Sequence, residues 1–192
     1  MTVMNTYMLL LRGINVGGRN RIPMAELKLF LEEQGMTDVA TYIQSGNVRV
    51  KSGLAARTVS QEVERGLPGT FGLDSSIIKV LALTPDQLQM IVDNRPEGFG
   101  DQPDTYHSDV IFLMGIRAAD AIGVFTPREG VDKIWPGNDV IYSQRLSALR
   151  TKSRLNRMMA SPLYKSMTIR SWSTTRELLE MVSDTDADEA AS

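Results

Sequence analysis

The residues best suited to chemistry lie in a loop rich in glycine and arginine, "RGINVGGRNRI", at positions 12–22. Backbone N–H groups of glycines beside a helix N-terminus, together with guanidinium groups, favour a phosphate or a carboxylate. The pattern therefore predicts a small anionic, phosphate-bearing ligand. The predicted ligand-binding residues of the loop are Arg12, Gly13, Asn15, Gly17, Gly18, Arg19, Asn20 and Arg21.

The loop departs from both common nucleotide-binding motifs. Gly13 and Gly18 match the two glycines of G-x-x-x-x-G-K-[ST], but Arg19 replaces the lysine and Asn20 replaces the hydroxyl that would hold magnesium. Asn15 stands at the second glycine of G-x-G-x-x-G. These differences argue against a nucleotide-hydrolysing loop. Two alternatives remain. The loop is a looser anion site, or its glycines only supply the positive φ of a turn and its arginines are solvated or paired.

The flanking pattern places this loop between a strand and a helix. The apolar run Tyr7–Leu11 predicts a buried strand, and Pro23 and Gly35 bracket a helix at its first position and just beyond its end. The stretch "DVATYIQSGNVRVKS" predicts a hairpin that turns at residues 45–47. Because the strands on either side of the helix run parallel in a βαβ crossover, the loop and this turn should be neighbours, with no local acid. Ser45 and Asn47 therefore join the predicted ligand-binding residues.

The order of elements is predicted to occur twice. A further helix, the strand "SSIIKVLAL" and the capped helix "TPDQLQMIVDN" complete β-α-β-β-α-β plus a helix, and a similar order follows, with "TKSRLNRMMA" as a helix. The two closing helices match from Thr84 and from Thr174, both as capping boxes. The predicted fold class is α+β, with two tandem ferredoxin-like halves that have antiparallel sheets. The predicted boundaries are 1–95 and 108–183 for the halves, 96–107 for a linker and 184–192 for a disordered acidic tail.

Charge is distributed unevenly although the net charge is only −2. Residues 140–176 carry eight basic side chains and no acidic one, whereas the chain from Glu177 onward carries six acidic side chains and no basic one. Such asymmetry is typical of an anionic partner or an acidic tail. A nucleic-acid-binding module is therefore an alternative, with phosphate contacts from Arg150, Lys152, Arg154, Arg157 and Arg170.

The strand ends of the second half predict a second basic cluster of Arg150, Lys152, Ser153, Arg170 and Trp172. Its other interpretation is a solvated basic face neutralised by the acidic tail. The hairpin strand "NVRVKS" has no aromatic side chain that could stack on RNA bases, so base recognition of that kind is not expected.

The composition excludes several kinds of chemistry. The chain has no cysteine and one histidine, which excludes disulfides, zinc sites with thiolate ligands and cysteine nucleophiles. His107 and Asp109 share a strand face and could orient a general base, but no nucleophile or metal set accompanies them in the sequence. No catalytic residue, metal ligand or cofactor is predicted. The lack of a basic leader and of a long apolar segment predicts a cytoplasmic protein without a membrane partner.

Four stretches together resemble a bacterial family catalogued as domain of unknown function 1697. They are "LLRGINVGGRNRIPM", "TYIQSGNV", "TKSRLNRMM" and "MTIRSWSTTRELLEM", and the resemblance runs from Tyr7 to Val182. Arg19 stands where sequences of this kind usually carry lysine. The resemblance implies a cytosolic protein with paired ferredoxin-like halves, and it implies no catalytic residues because the family has no settled activity. Binding of a small anion is thus the leading hypothesis, and a nucleic-acid-binding module or a protein-interaction module without ligand are the alternatives. The sequence leaves enzymatic activity and oligomeric state open.

Overall fold

The computed structural model describes residues 3–43 and 46–190 of the chain. Over these residues the protein is mixed α/β, with helices and two four-stranded antiparallel sheets, which confirms the predicted combination of elements. Contacts between Cα atoms divide the chain into two units. One reaches Leu88 and includes the chain from Leu178 onward, and the other is Gln89–Glu177. These divisions fall inside two helices rather than in the segment 96–107, for which the sequence predicts a linker.

The first unit is built on a sheet with the strand order β2-β3-β1-β4. Its elements are β1 (Asn5–Arg12), α1 (Met24–Glu33), β2 (Thr37–Tyr42), β3 (Asn47–Ser52), α2 (Ala56–Phe71), a 3-10 turn (Ser75–Ile77), β4 (Lys79–Leu83) and the start of α3 (Pro85–Asp93). Both β3 and β4 pair antiparallel with β1, and β2 pairs antiparallel with β3. β1 and β2 therefore run parallel to each other, as predicted, and the glycine- and arginine-rich loop follows the end of β1.

One face of this sheet forms the core of the first unit with α1 and α2. Leu9 of β1 and Val48 of β3 are register partners, and neither has exposed surface. Leu27 and Phe30 of α1 are buried at helical spacing, as an amphipathic helix requires. Gly66 of α2 lies against the Phe30 ring, where a Cβ would come within 2.9 Å of the ring atom Cζ. The absence of a side chain at Gly66 therefore allows the two helices to approach closely.

The connection between β2 and β3 contains a β-branched residue in the left-handed conformation. Ile43 has φ of 47° and is 52% exposed. A β-branched side chain at positive φ is uncommon because Cβ crowds the backbone. Such a conformation costs on the order of 1–3 kcal/mol unless surrounding contacts compensate.

The second unit is built on a sheet with the strand order β6-β7-β5-β8. Its elements are β5 (Tyr106–Leu113), α4 (Ala118–Ala121), β6 (Asp132–Pro136), β7 (Val140–Leu146), β8 (Met167–Ser171) and the start of α5 (Trp172–Ala190). Three 3-10 turns connect β7 to β8, at Ser147–Lys152, Leu155–Ala160 and Pro162–Ser166. Leu155 and Met158 of these turns pack in one core with Ile111 and Ile141 of the sheet.

The 3-10 turns replace the α-helix that the sequence predicts over "TKSRLNRMMA". The Ser153 hydroxyl accepts a hydrogen bond from the Leu155 N–H, and the Ser161 hydroxyl accepts one from the Leu163 N–H. Serine side chains that bond to nearby backbone groups compete with helical hydrogen bonds. The prediction of an α-helix in this segment was therefore wrong.

The predicted capping box is present in α3 and absent from α5. The Thr84 hydroxyl accepts from the Gln87 N–H at 3.2 Å, and the Gln87 side chain accepts from the Thr84 N–H at 2.9 Å. In α5 the cap is Ser171, whose hydroxyl accepts from the Thr174 N–H at 3.2 Å. The helix therefore starts one turn earlier than predicted, because a serine three positions before Thr174 satisfies the same requirement.

The segment 96–107 is a packed loop that leads into β5. Phe99 has no exposed surface, and its ring lies 6.0, 5.2 and 5.4 Å from the rings of Trp135, Tyr142 and Trp172. The Arg95 guanidinium donates a hydrogen bond to the Phe99 carbonyl. Glycine and proline content predicts a linker here, but it carries no information about the aromatic anchor.

The last helix, α5, continues to Ala190 and so runs through most of the segment 184–192 for which the acidic composition predicts disorder. Residues 191 and 192 lie outside the described part of the chain. Within that part, no helix combines the length and apolarity needed to cross a membrane.

Candidate anion site at the glycine- and arginine-rich loop

The tip of the loop is a two-residue turn made by Gly17 and Gly18. The Arg19 N–H donates to the Val16 carbonyl at 2.9 Å, so these residues form a miniature hairpin. Gly17 has φ of 58° and Gly18 has φ of 76°. Two consecutive positive φ values are typical of a tight hairpin turn, and glycine adopts them without steric cost. The glycines therefore have a conformational role whether or not a ligand binds.

The amide side chains of Asn15 and Asn20 hold the loop together. Asn15 Nδ2 donates to the Ile22 carbonyl at 3.0 Å, and its Oδ1 accepts from the Ile22 N–H at 2.8 Å. Asn20 Nδ2 donates to the Gly13 carbonyl at 2.9 Å, and its Oδ1 accepts from the Asp74 N–H at 3.0 Å. Both asparagines were predicted to bind a ligand. The structure places their polar atoms in bonds that fix the shape of the loop.

Arg12 and Gly13 contact the turn that precedes β4. Arg12 Nη1 donates to the Ile77 carbonyl at 2.9 Å. Gly13 has φ of 85°, and a Cβ at this position would lie 2.3 Å from the same carbonyl oxygen. Only glycine fits this close approach without a shift of the backbone.

Arg19 has an acidic partner, contrary to the prediction that the loop has no local acid. Its Nη2 lies 3.1 Å from Asp74 Oδ2, and the two side chains are 67% and 42% exposed. Hydrogen bonds from the hydroxyl and the N–H of Ser76, with a smaller contribution from Arg19, hold the pKa of Asp74 below its ordinary value. Asp74 is 55 residues away along the chain, so no local pattern could reveal the pair.

Arg21 is exposed and lies beside the N-terminus of α1. In the described part of the chain it has no carboxylate partner. Its Nη2 would lie 3.8 Å from a Cβ at Gly18. An open cleft of about 530 Å³ is lined by Asn15, Gly18, Arg21, Ile22, Pro23 and Met24. Pro23 is the N-cap of α1 and makes no side-chain cap, so this cleft leads to a helix end whose first N–H groups have no capping side chain.

The hairpin turn lies next to the start of the loop, as predicted. The Leu11 N–H donates to the Gly46 carbonyl at 2.8 Å. Asn47 has no exposed surface, and its Nδ2 donates to the Tyr42 carbonyl at 3.2 Å across the hairpin. Asn47 therefore lies inside the protein rather than on a ligand-facing surface. Ser45 lies outside the described residues.

The predicted second basic cluster separates into an exposed part and a buried part. Arg150 and Lys152 are exposed, Ser153 is half-buried, and Arg170 and Trp172 are each 8% exposed. Arg170 donates to the Thr168 hydroxyl at 2.9 Å and to the Ile169 carbonyl at 2.8 Å, and burial lowers its pKa to about 10. Trp172 packs on Phe99. Arg170 and Trp172 are thus interior residues, and neither faces a phosphate or a base.

Asp132 holds the backbone at Arg128 and Arg154 in place, and the sequence did not identify it as an important residue. Its side chain is buried, and its Oδ2 accepts from the Arg128 N–H at 2.9 Å and from the Arg154 N–H at 2.8 Å. Burial alone would raise the pKa of Asp132, but hydrogen bonds from Arg154, Ser153 and Arg128 hold it below its ordinary value. Because its Oδ2 accepts from two backbone N–H groups, no charge pattern in the sequence marks this carboxylate.

His107 and Asp109 form the pair that their spacing predicts. His107 Nε2 lies 3.0 Å from Asp109 Oδ1, and Arg145 Nη1 lies 3.8 Å from Asp109 Oδ2. Burial raises the pKa of Asp109, and the charges of His107 and Arg145 oppose that shift. Among the residues that the structure describes, no three histidine, aspartate or glutamate side chains form a group that could hold a metal ion. The pair is an electrostatic contact on the sheet.

Comparison with known proteins finds a similar solved structure and a matching family model. A solved structure of the conserved bacterial protein SP0830 from Streptococcus pneumoniae is similar, with a TM-score of 0.74 and 26% sequence identity. The match covers 94% of this chain and 99% of that chain. No curated protein matches the sequence. The family model described as "Protein of unknown function (DUF1697)" matches residues 4–142, which is more than half of the chain. With the motifs and the fold described above, this match shows that the chain belongs to the DUF1697 family of proteins of unknown function.

Proposed function

We propose that the protein binds a small anionic, phosphate-bearing ligand at Arg21 and the N-terminus of α1. The observation that carries the proposal is the position of Arg21, an exposed guanidinium beside Gly18 in the cleft that leads to α1. The first N–H groups of a helix have no intrahelical partners, and the helix dipole favours negative charge there. A phosphate in this cleft would receive hydrogen bonds from the guanidinium and from backbone N–H groups.

The contacts of the other two arginines assign them to the support of the loop. Arg12 is bonded to the Ile77 carbonyl, and Arg19 is paired with Asp74. An anion at Arg19 would have to compete with that carboxylate, whereas an anion at Arg21 would not. The predicted site is therefore narrowed from the whole loop to Arg21 and the backbone beside it.

The experiment is a thermal-shift screen of the wild type with inorganic phosphate, pyrophosphate and sugar phosphates, with chloride at equal ionic strength as control. Arg21→Ala is the test variant, and Arg19→Ala is the matched control because it removes the same group two positions away. A hydrogen-bonded charge contributes about 1.5–3 kcal/mol, so Arg21→Ala should weaken phosphate binding roughly tenfold or more. Arg19→Ala should keep the phosphate shift, and Arg21→Lys should keep part of it.

Equal phosphate shifts in the wild type and in Arg21→Ala would contradict the proposal, as would no shift with any anion. A loss in Arg19→Ala that equals the loss in Arg21→Ala would also contradict it, because the effect would then belong to the shape of the loop. In those cases the loop is a structural element, and a protein-interaction role without ligand becomes the better hypothesis.

We also propose that the two units are ferredoxin-like repeats that arose by internal duplication in a cytoplasmic protein. What supports the duplication is that both sheets have the order second-third-first-fourth strand and are antiparallel throughout. The units differ in their helices, because α2 has 16 residues whereas 3-10 turns connect β7 to β8. An experimental structure in which the four strands of one sheet superpose on those of the other in chain order would support the duplication, and a mismatch in order or direction would contradict it.

A further inference from the structure

The turns between β7 and β8 and the loop before β6 expose a group of cations that the small-anion site does not involve. We call this group the basic surface, and its members are Arg128, Arg150, Lys152, Arg154 and Arg157. All five side chains are exposed, and within the described residues none of them pairs with a carboxylate. The chain has no acidic residue between 140 and 176, and Glu129 is the acidic neighbour of Arg128 in sequence.

Hydrogen bonds of the backbone hold the segments that carry these cations next to one another. Arg128 and Arg154 donate their N–H groups to the same oxygen, Oδ2 of Asp132. Arg128 Nη1 lies 3.5 Å from the Lys152 carbonyl. The Arg157 N–H donates to the Arg154 carbonyl at 3.0 Å, one turn further along. A single buried carboxylate therefore fixes the relative positions of two cation-bearing segments.

The inner side of these turns is fixed in the core, which directs the cations outward. Leu155 and Met158 are buried against the sheet. Trp172 and Tyr142 are buried, and Tyr164 of the third turn is half-buried and packs against the core, so none of the three presents a free ring face to a base. The large apolar side chain exposed on these turns is Met159, at 55%. The surface therefore offers charge without an aromatic platform.

From this arrangement we infer that the basic surface binds the phosphodiester backbone of a nucleic acid without reading its bases. Guanidinium groups match phosphate oxygens in a two-pronged geometry, and backbone binding requires spaced cations but no base contacts. An acidic protein surface is a weaker fit, because protein interfaces depend on a central cluster of aromatic or apolar anchors. The site lies in the second unit and does not depend on the proposed small-anion site.

The test measures binding of the full chain to a labelled duplex DNA, a single-stranded DNA and an RNA of equal length by fluorescence polarisation, over a series of salt concentrations. The test variant combines Lys152→Gln, Arg154→Gln and Arg157→Gln. The matched control combines Lys28→Gln, Arg57→Gln and Arg65→Gln, which removes the same charge from exposed positions of the first unit. Glu129→Gln is a second control with the opposite change of charge, and circular dichroism verifies that each variant is folded.

The test variant should bind at least tenfold more weakly at low salt, and its dependence of log affinity on log salt should be shallower by about two to three for duplex DNA. The first-unit control should bind nearly as the wild type does, and Glu129→Gln should bind more tightly. The inference is overturned if the wild type binds none of them at low salt, if both triple variants weaken binding equally, or if poly-glutamate binds as tightly as the oligonucleotides.

Discussion

Gly13 and Gly17 both adopt positive φ, but their surroundings differ. A Cβ at Gly13 would lie 2.3 Å from the Ile77 carbonyl oxygen, whereas a Cβ at Gly17 would meet nothing within 4 Å. Gly17→Ala should therefore lower the free energy of unfolding by about 1–2 kcal/mol, which is the cost of a left-handed backbone conformation for a residue with a Cβ. Gly13→Ala adds a clash with backbone and should lower the free energy of unfolding by more than Gly17→Ala does. Urea denaturation of both variants checks the order, and equal losses would show that the backbone at Ile77 moves away freely.

Replacement of Asp132 should also lower the free energy of unfolding. Asp132→Ala leaves two half-buried N–H groups without this partner, which should lower the free energy of unfolding by about 1–2 kcal/mol at neutral pH. Asp132→Asn keeps an accepting oxygen and should lose less.

The pH dependence of this effect follows from the direction of the pKa shift. Because the pKa of Asp132 is lower in the folded protein than in the unfolded chain, its charge stabilises the fold above the unfolded value of about 3.9. That contribution is lost as pH falls through the folded pKa. The difference in stability between wild type and Asp132→Asn should therefore shrink at acidic pH, and denaturation curves at neutral and acidic pH measure it. A difference that grows on acidification would contradict this assignment.

Elements with local signals could be predicted from the sequence, and elements that depend on distant contacts could not. Pro23 and Gly35 mark α1 because a fixed φ and a positive φ are local properties. The hairpin of β2 and β3 likewise follows from alternation and a turn. The 3-10 turns after β7 were predicted as a helix, because the Ser153 and Ser161 bonds compete with the helix only in the folded context.

The N-terminal cap of α5 contributes to stability. Ser171 caps the helix, so Ser171→Ala should lower the free energy of unfolding by about 1 kcal/mol. Thr174→Ala should cost less, because alanine keeps the backbone N–H that bonds to Ser171 and loses only the Thr174 hydroxyl, which accepts from the Ser171 hydroxyl at 2.9 Å. Thermal denaturation of the two variants measures the difference. The opposite ranking would restore the capping box at Thr174 and move the helix start by one turn.

In the whole molecule, the candidate site combines local properties of the loop with contacts between residues that are distant in the sequence. The residue types and the position of the loop were predicted, since both are local. The sequence did not predict which arginine lacks a carboxylate partner, because Asp74 comes close to Arg19 only in the folded chain. The same is true of the segment 96–107, whose anchor Phe99 finds its aromatic partners more than thirty residues away.

Limited proteolysis tests that anchor. Chymotrypsin should not cleave after Phe99 in the native protein, because the ring has no exposed surface and the Phe99 carbonyl accepts a hydrogen bond from Arg95. Phe99→Ala removes a buried aromatic ring, which typically costs about 3–5 kcal/mol, and should make the segment 96–107 sensitive to a non-specific protease. Early cleavage after Phe99 in the wild type would instead support the linker that the composition predicts.

The left-handed backbone at Ile43 has a practical consequence for protein engineering. Since asparagine tolerates that conformation better than a β-branched residue, Ile43→Asn relieves the strained position at an exposed site and should raise the melting temperature by a few degrees. The stability of the chain can therefore be increased at the connection between β2 and β3, outside the core. A host protein that carries this substitution would offset part of the cost of the replacements at Gly13 and Asp132, so that their effects on ligand and nucleic-acid binding could be measured in folded protein.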